Sequence, residues 1–502
     1  MSKDPTSRRQ FLKVAGTAAG AAVFGSGIGL DSVALVPGCA ARVSSQPETS
    51  PPGYTLRIGA SPVEIAPKRI LSTITYNGQF PGPLLRFKEG QQVIVDVHND
   101  TDTPEQLHWH GQFVSPDADG AAEEGTPFIP AHGMRRIVFT PRPAGLRFYH
   151  THNRAGGDLH AGQYSGQVGA VYIESKHEPG NYDREVFLVL KEFEPSFSQG
   201  GDMAMDFLAP ATEVQSLKDA GESTMKASLA KGMPHGYEVG YRYFTVNGRM
   251  LGHGEAIRVK PGERVLFHVV NGSATEIRSL ALPGHTFNVV ALDGNPVPTP
   301  AEVPVLWLGT AERISAIVKM KHPGVWVLGD LADDDRNHGL GIVVEYAGRV
   351  GKPQWITPKP FRWSYLRFGK SEVTAEPDEV IDMTFGKRNA VNQGFNEWTI
   401  NDVAFSMDKT PPMVHLRHGR RYRLRMRNAS DDIHPIHLHR HSFELTKFAG
   451  KPTSGVLKDV VMVGGYQEVE IDFTADNPGL TLFHCHQQLH MDYGFMSLFD
   501  YV

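Results

Sequence analysis

Residues 90–99 read GQQVIVDVHN, residues 262–271 read GERVLFHVVN and residues 419–428 read GRRYRLRMRN. Each stretch opens on glycine and closes on an asparagine nine positions later. Between the two, apolar and polar residues alternate with the period of a half-buried strand. A second marker follows each first one: Gly145-Leu146-Arg147-Phe148-Tyr149, Gly324-Val325-Trp326-Val327-Leu328 and Gly479-Leu480-Thr481-Leu482-Phe483. One β-unit has therefore been used three times. The spacing places the units at roughly 52–178, 180–348 and 355–502, sizes expected of Greek-key sandwiches.

Composition agrees with an all-β chain. The 52 glycines and 35 prolines among 502 residues favour short strands and turns. A net charge of -5 with both signs interspersed leaves no basic stripe for nucleic acid. No stretch after the N-terminus has the length and apolarity of a membrane span. Two cysteines, Cys39 and Cys485, are too few for a disulfide framework. Residues 196–235 form an insertion in the middle unit, expected to be part loop and part short helix. Its methionines Met203, Met205, Met225 and Met233 are either soft copper(I) donors or ordinary packing.

The 23 histidines would produce His-x-His about once by chance. It occurs five times: His108/His110, His150/His152, His437/His439, His439/His441 and His484/His486. Nine and eleven residues after the marker asparagine stand His108 and His110 in the first unit and His437 and His439 in the third, where the middle unit has Leu280 and Leu282. Five and seven residues after the second marker glycine stand His150 and His152, and His484 and His486, against Gly329 and Leu331. The middle unit is thus expected to be a metal-free spacer. A single His-x-His is usually a packed or surface pair, but four at matching offsets are not.

On a strand, residues i and i+2 share a face with Cα atoms roughly 6.5–7 Å apart, which suits bridging neighbouring ions better than chelating one. Two such strands from each outer unit, packed face to face, assemble eight imidazoles into a multinuclear site. Imidazole alone does not name the metal. Cys485 does, because it lies between His484 and His486 and must point off the opposite face, where His434 and His490 can meet it. Two imidazoles and a thiolate are the donors of a blue-copper electron-transfer centre. His441, which has no counterpart in the repeats, is read as structural, and the lone His132, His160 and His285 are left unassigned.

The motifs His108-Trp109-His110-Gly111, His150-Thr151-His152, His434-Pro435-Ile436-His437-Leu438-His439 and His484-Cys485-His486 with His490 resemble those of the three-domain multicopper oxidases, a family that includes laccases, ascorbate oxidases and bacterial cuprous oxidases. The resemblance implies three cupredoxin-like sandwich domains and four copper ions. By position, His434, Cys485 and His490 would hold a type 1 copper, and His108 and His437 a type 2 copper. His110, His150 and His486 would hold one type 3 copper, and His152, His439 and His484 its partner. Asp119, in Asp119-Gly120, resembles the family's cluster aspartate and would serve proton delivery; a turn-forming Asp-Gly is the plainer reading. Three residues depart from the pattern. Phe495, followed by Met496, stands where many relatives have an axial methionine. Arg440 replaces a glycine, a change expected to alter the type 1 surroundings. Met491 stands where some bacterial relatives have a proton-donating glutamate.

The expected activity is laccase-like oxidation of a phenol, aromatic amine or metal ion by dioxygen. A cuprous oxidase serving copper tolerance is the alternative within the class, and a copper-free cupredoxin scaffold of the cell envelope is the alternative outside it. Ser7-Arg8-Arg9-Gln10-Phe11-Leu12-Lys13 and the apolar run to about Leu30 resemble a twin-arginine export signal, with residues 1–45 as signal and linker. That signal would engage the twin-arginine machinery and deliver the chain to the periplasm or beyond. Cys39, after Val36-Pro37-Gly38, loosely resembles a lipoprotein acceptor.

Overall fold

The computed structural model describes residues 51–175, 181–198, 207–209, 213–230, 236–371, 375–408 and 413–502, without the side chains of 227–230. The twin-arginine-like segment, Cys39, Met203, Met205 and Met233 lie outside the described residues. Among the described residues strands dominate and form six sheets, two per repeat, giving three cupredoxin-like sandwiches.

The marker strands occupy one place in all three units. In the first sheet of each, Val93–Asn99, Arg264–Asn271 and Arg421–Asn428 run third from one edge. Each lies parallel to the first long strand of its unit, Tyr54–Ala66, Arg184–Ser198 or Glu379–Asn392. The middle and third sheets continue with a hairpin, Phe287–Leu292 with Asn295–Val303 and Phe443–Phe448 with Lys451–Lys458, that the four-stranded first sheet lacks.

The marker asparagine recurs because its side chain performs the same work each time. The Asn99 amide donates to Thr103 O, Ile129 O and Pro130 O, while its oxygen accepts the Thr101 amide. Asn271 donates to Glu276 O, Leu308 O and Gly309 O and accepts from Ser273. Asn428 donates to Asp432 O, Val463 O and Gly464 O and accepts from Ser430. Each buried side chain ties the end of its strand to the turn after it and to a second segment, Ile129-Pro130, Leu308-Gly309 or Val463-Gly464, and no apolar residue could replace these bonds without stranding carbonyls.

Register corrects one alignment. His108 faces His150 and His437 faces His484, and the corresponding pair in the middle unit is Ala281 with Gly329. Counting nine residues from Asn271 lands on Leu280, one short. The middle unit has an extra residue after its asparagine, so Asn271 reaches the carbonyl five residues on, whereas Asn99 and Asn428 reach the fourth. Alanine, like leucine, offers no ligand.

The insertion holds a longer helix than expected, Gln215–Ala230, sixteen residues with a Lys226–Glu222 pair one turn apart. It lies against the strand Glu379–Asn392. A Cβ on Gly221 would sit 2.2 Å from Ala429 O, so this close approach needs glycine.

Candidate metal centre

In the outer sandwiches the histidine-bearing strands are neighbours in one sheet. His108–His110 pairs antiparallel with Gly145–His150, and His434–Leu438 pairs with Thr481–Cys485. The two sheets meet with His108 stacked on His439 and His110 on His437, ring centroids 4.1 and 3.8 Å apart. All ten histidines expected as ligands, with Cys485, are brought into two adjoining groups, and none is more than 3% exposed.

In the larger group, one ring nitrogen from each of His110, His150 and His486 lies within 4.8 Å of the others, and the same holds for His152, His439 and His484 and for His108, His110 and His437. Hydrogen bonds on the outer nitrogens decide where the lone pairs point. Nδ1 of His108 donates to Asp119 O at 2.9 Å and Nδ1 of His437 to Asp459 O at 2.7 Å. That leaves Nε2 of both without a hydrogen-bond partner among the described residues. His439 Nδ1 donates to the Asp119 carboxylate at 2.8 Å and His484 Nδ1 to Cys485 O at 2.8 Å, so their Nε2 lone pairs face each other at 2.9 Å. His110 Nε2 donates to Asp459 Oδ1 at 3.1 Å and His150 Nδ1 to Thr151 O at 2.7 Å, so His110 Nδ1 and His150 Nε2 face each other at 3.4 Å. Opposed lone pairs at such distances are the donor set of a bound cation, with ring orientation fixed from behind.

Burial first, then the mutual proximity of the rings, holds His110, His150, His439, His484 and His486 well below the ordinary imidazole range, so they stay neutral and ready to ligate. Burial likewise lowers His434 to about 3.

The smaller group lies on the other face of the strand Thr481–Cys485. Cys485 Sγ is 3.7 Å from His434 Nδ1 and 3.5 Å from His490 Nδ1, and the two nitrogens are 3.2 Å apart. The centre of that triangle is about 2.0 Å from each corner, a metal–imidazole bond length. Ser430, itself bonded to Asn428, holds His434 by its far nitrogen at 2.8 Å. The short helix Gln488–Asp492 supplies His490, whose ring is covered by Trp398 at 4.0 Å.

Comparison with known proteins agrees with this geometry. Multicopper oxidase family models match residues 58–178, 213–343 and 373–502. Multicopper oxidase MmcO of Mycobacterium tuberculosis is 31% identical over 86% of this chain and 84% of its own length. The chain belongs to the multicopper oxidase family. Copper resistance protein A of Pseudomonas syringae pv. tomato is 28% identical over 71% of this chain and 59% of its own. The fold is shared with Fet3p, described as a multicopper oxidase that functions in iron import (TM-score 0.72, 20% identity, 89% of this chain and 90% of that one), and with a laccase from Botrytis aclada (0.69, 19%, 89% and 87%). Members of this family are copper-dependent oxidases that use dioxygen, and neutral imidazoles with one thiolate are donors that copper accepts.

Within this multicopper oxidase, Phe495 and Met496 take separate sides. The Phe495 ring lies 4.8 Å from the His434 ring. Met496 pairs with His484 and joins a cluster with Ala121, Leu482 and Leu498, on the face away from Cys485. Arg440 does not touch the three residues of the smaller group. Its guanidinium turns toward Val114 and the 477–481 loop, donating to the carbonyls of Val114, Asn477, Pro478, Gly479 and Leu480. The expected change at the type 1 surroundings is therefore not seen there. His441 is structural as expected, bridging His439 O and the Tyr501 hydroxyl.

Three acids escaped the motif reading. Asp459 holds His110 and His437. Glu123 lies 3.6 Å from His152 Nδ1, and Glu124 lies 3.4 Å from His439 Nδ1 while accepting the Leu482 amide. Burial and the neighbouring Asp119 carboxylate hold Glu124 well above the usual carboxylate range. The run Asp119-Gly-Ala-Ala-Glu123-Glu124 was the available clue, since three acids follow closely on the first histidine motif.

Proposed function

We propose that the chain is a laccase-like enzyme with four copper ions. His434, Cys485 and His490 would hold a type 1 copper, which would supply the acceptor for single electrons from a phenol, an aromatic amine or a reducing metal ion. His108 and His437 hold a type 2 copper. His110, His150 and His486 hold one type 3 copper, and His152, His439 and His484 its partner. When bound, the four ions supply the electron acceptor and the centre at which dioxygen takes up four electrons and becomes water.

The observation that carries this reading is the strand end His484-Cys485-His486. The thiol belongs to one group and the flanking imidazoles to the other, so an electron arriving at Cys485 crosses only peptide and side-chain bonds. Four protons must accompany the four electrons. Asp119 is placed for that work, its carboxylate 2.8 Å from His439 Nδ1 and 3.2 Å from His108 Nδ1. Purified protein should bind four coppers per chain, absorb in the blue-copper region and consume oxygen with a phenolic donor. A colourless, copper-free protein would end the proposal.

A second reading, a cuprous oxidase, is favoured by the insertion helix. It reaches Ala429, next to the Ser430 that holds His434, and carries half-buried Met225. Cuprous ion and a phenolic substrate compared at saturation separate the two. The proposed domains run 52–178, 180–348 and 355–502, the middle one copperless. Residues 1–45 are proposed as a twin-arginine signal and linker for export to the periplasm or beyond, and replacing Arg8 and Arg9 by lysine should retain the protein in the cytoplasm.

A further inference from the structure

The carboxylate of Asp459 is the meeting point of all three sandwiches. Its Oδ1 accepts Arg313 Nη1 at 2.6 Å and His110 Nε2 at 3.1 Å, and its Oδ2 accepts Arg313 Nη2 at 2.5 Å and Arg147 Nη1 at 3.4 Å. Its main-chain oxygen accepts His437 Nδ1 at 2.7 Å. One aspartate thus holds an imidazole from the first sandwich and one from the third. The group that fixes its carboxylate, Arg313, comes from the middle sandwich.

Arg313 is itself fixed. Its Nη1 donates to Ala311 O at 2.9 Å and its Nη2 to Asp293 O at 3.2 Å, while its amide donates to Asp293 Oδ1 at 3.0 Å. Lys458 joins Asp293 at 2.8 Å and Glu312 at 3.0 Å. Arg147, Arg313 and Lys458 therefore balance Asp293, Glu312 and Asp459 in a fully buried set. The chain beside His110 is shaped to admit it. A Cβ on Gly111 would lie 2.5 Å from Asp459 Oδ2 and 2.7 Å from Arg313 Nη2, at φ +76.

We infer that Arg313, from the sandwich without copper ligands, is a positioning residue for the trinuclear site. Its planar fork locks the Asp459 carboxylate so that Oδ1 faces His110 Nε2–H, which leaves the His110 Nδ1 lone pair aimed at the metal. A lysine in its place keeps the charge but not the two-point hold, so the carboxylate can turn away. The middle sandwich is then part of the cluster's outer structure and not only a spacer. The inference rests on the copper assignment proposed above.

The test compares wild type with R313K, R313M and the charge-balanced R313M/D459N, reading copper per chain, the type 2 paramagnetic resonance signal, the blue absorption and the thermal midpoint of the copper-free protein. Wild type with four coppers upholds the assignment, and any other count fails that assignment independently of the variants. The inference expects R313K to keep the blue band while copper affinity at the trinuclear site falls about 10- to 100-fold and, because the type 2 ligand His437 is held by the main-chain oxygen of the same Asp459, the type 2 signal shifts or disappears. It expects R313M/D459N to recover the midpoint lost in R313M, through restored charge balance, without recovering the type 2 signal. If R313M does not accumulate, R313K and the double variant decide alone. Wild-type copper content and type 2 signal in R313K, or their return in the double variant, would overturn the inference and leave Arg313 a structural charge.

Discussion

The imidazoles of His110 and His437 lie ring on ring, 3.8 Å between centroids and 15° from parallel, although one belongs to the first sandwich and the other to the third. His108 and His439 repeat the contact at 4.1 Å and 25°. The two motif strands therefore cross in opposite senses, and the larger histidine group is complete only when the outer sandwiches are docked. Metal binding and docking must be linked.

A ligand that binds only the docked state stabilises it in proportion to the logarithm of its excess over the dissociation constant, about 4 kcal/mol at a thousandfold excess. Removing copper with a chelator should lower the thermal midpoint, and restoring it should reverse the loss. Calorimetry of copper-free and reloaded protein checks this, and coincident midpoints would show that copper binds the docked state no more tightly than the undocked or unfolded chain.

Asp119→Asn should slow oxygen reduction by about 10²-fold while leaving the blue absorption intact. The amide can still present an oxygen to His439 Nδ1, where the carboxylate now accepts at 2.8 Å, so ring orientation should survive while the acid group is lost. Stopped-flow reoxidation of the reduced enzyme isolates the step. Wild-type reoxidation in the variant would remove Asp119 from the proton route.

What could be read from the chain alone was whatever repeats or alternates. Asn99, Asn271 and Asn428 were visible because each performs the same hydrogen bonding at the same place, and Cys485 could be assigned a face because a strand turns successive side chains to opposite sides. Asp459 carried no such mark. Its role arises from Arg147, Arg313, His110 and His437, brought to it from separate units. Glu123 and Glu124 lie in a single 3-10 turn, Ala122–Glu124, too short for any period to point inward. The helix Gln215–Ala230 was underestimated because part of what supports it, the seating of Gly221 on Ala429, is tertiary.

Phe495→Met should lower the type 1 reduction potential. Phe495 is fully buried 4.8 Å from the His434 ring and cannot ligate, whereas a thioether here would offer a bound copper one further weak donor and so favour the oxidised ion. Redox titration of the blue band measures the change. An unchanged potential would place the axial position elsewhere.

Arg440→Gly should destabilise the protein without altering the blue band. Arg440 sits at φ +58, so glycine relieves roughly 1–2 kcal/mol of left-handed strain. The loss is greater. The guanidinium satisfies five carbonyls and the Thr481 hydroxyl in a buried site, and each acceptor left unpaired costs about 1–3 kcal/mol. Denaturation followed beside the visible spectrum checks both halves, and a stabilised variant would mean that backbone strain outweighs the clamp.

Glu105 makes the pH dependence testable. Burial raises its carboxyl to about 7, with hydrogen bonds from Gln167, the Gln106 amide and Thr151 opposing the rise. The folded chain therefore keeps this proton between pH 4.5, the ordinary carboxyl value, and 7, where the unfolded chain has lost it. In that window the folded state binds more protons, so stability falls as pH rises, by at most about 3 kcal/mol, and levels off above it. Glu105→Gln cannot ionise and should lose this slope. In copper-free protein the two midpoints should nearly coincide at about pH 5, with the variant the more stable at about pH 8, because only wild type then buries a charge. Subtracting the two curves cancels other buried acids that titrate nearby, Glu276 among them. A difference curve flat across the window would show that Glu105 ionises alike in the folded and unfolded chain.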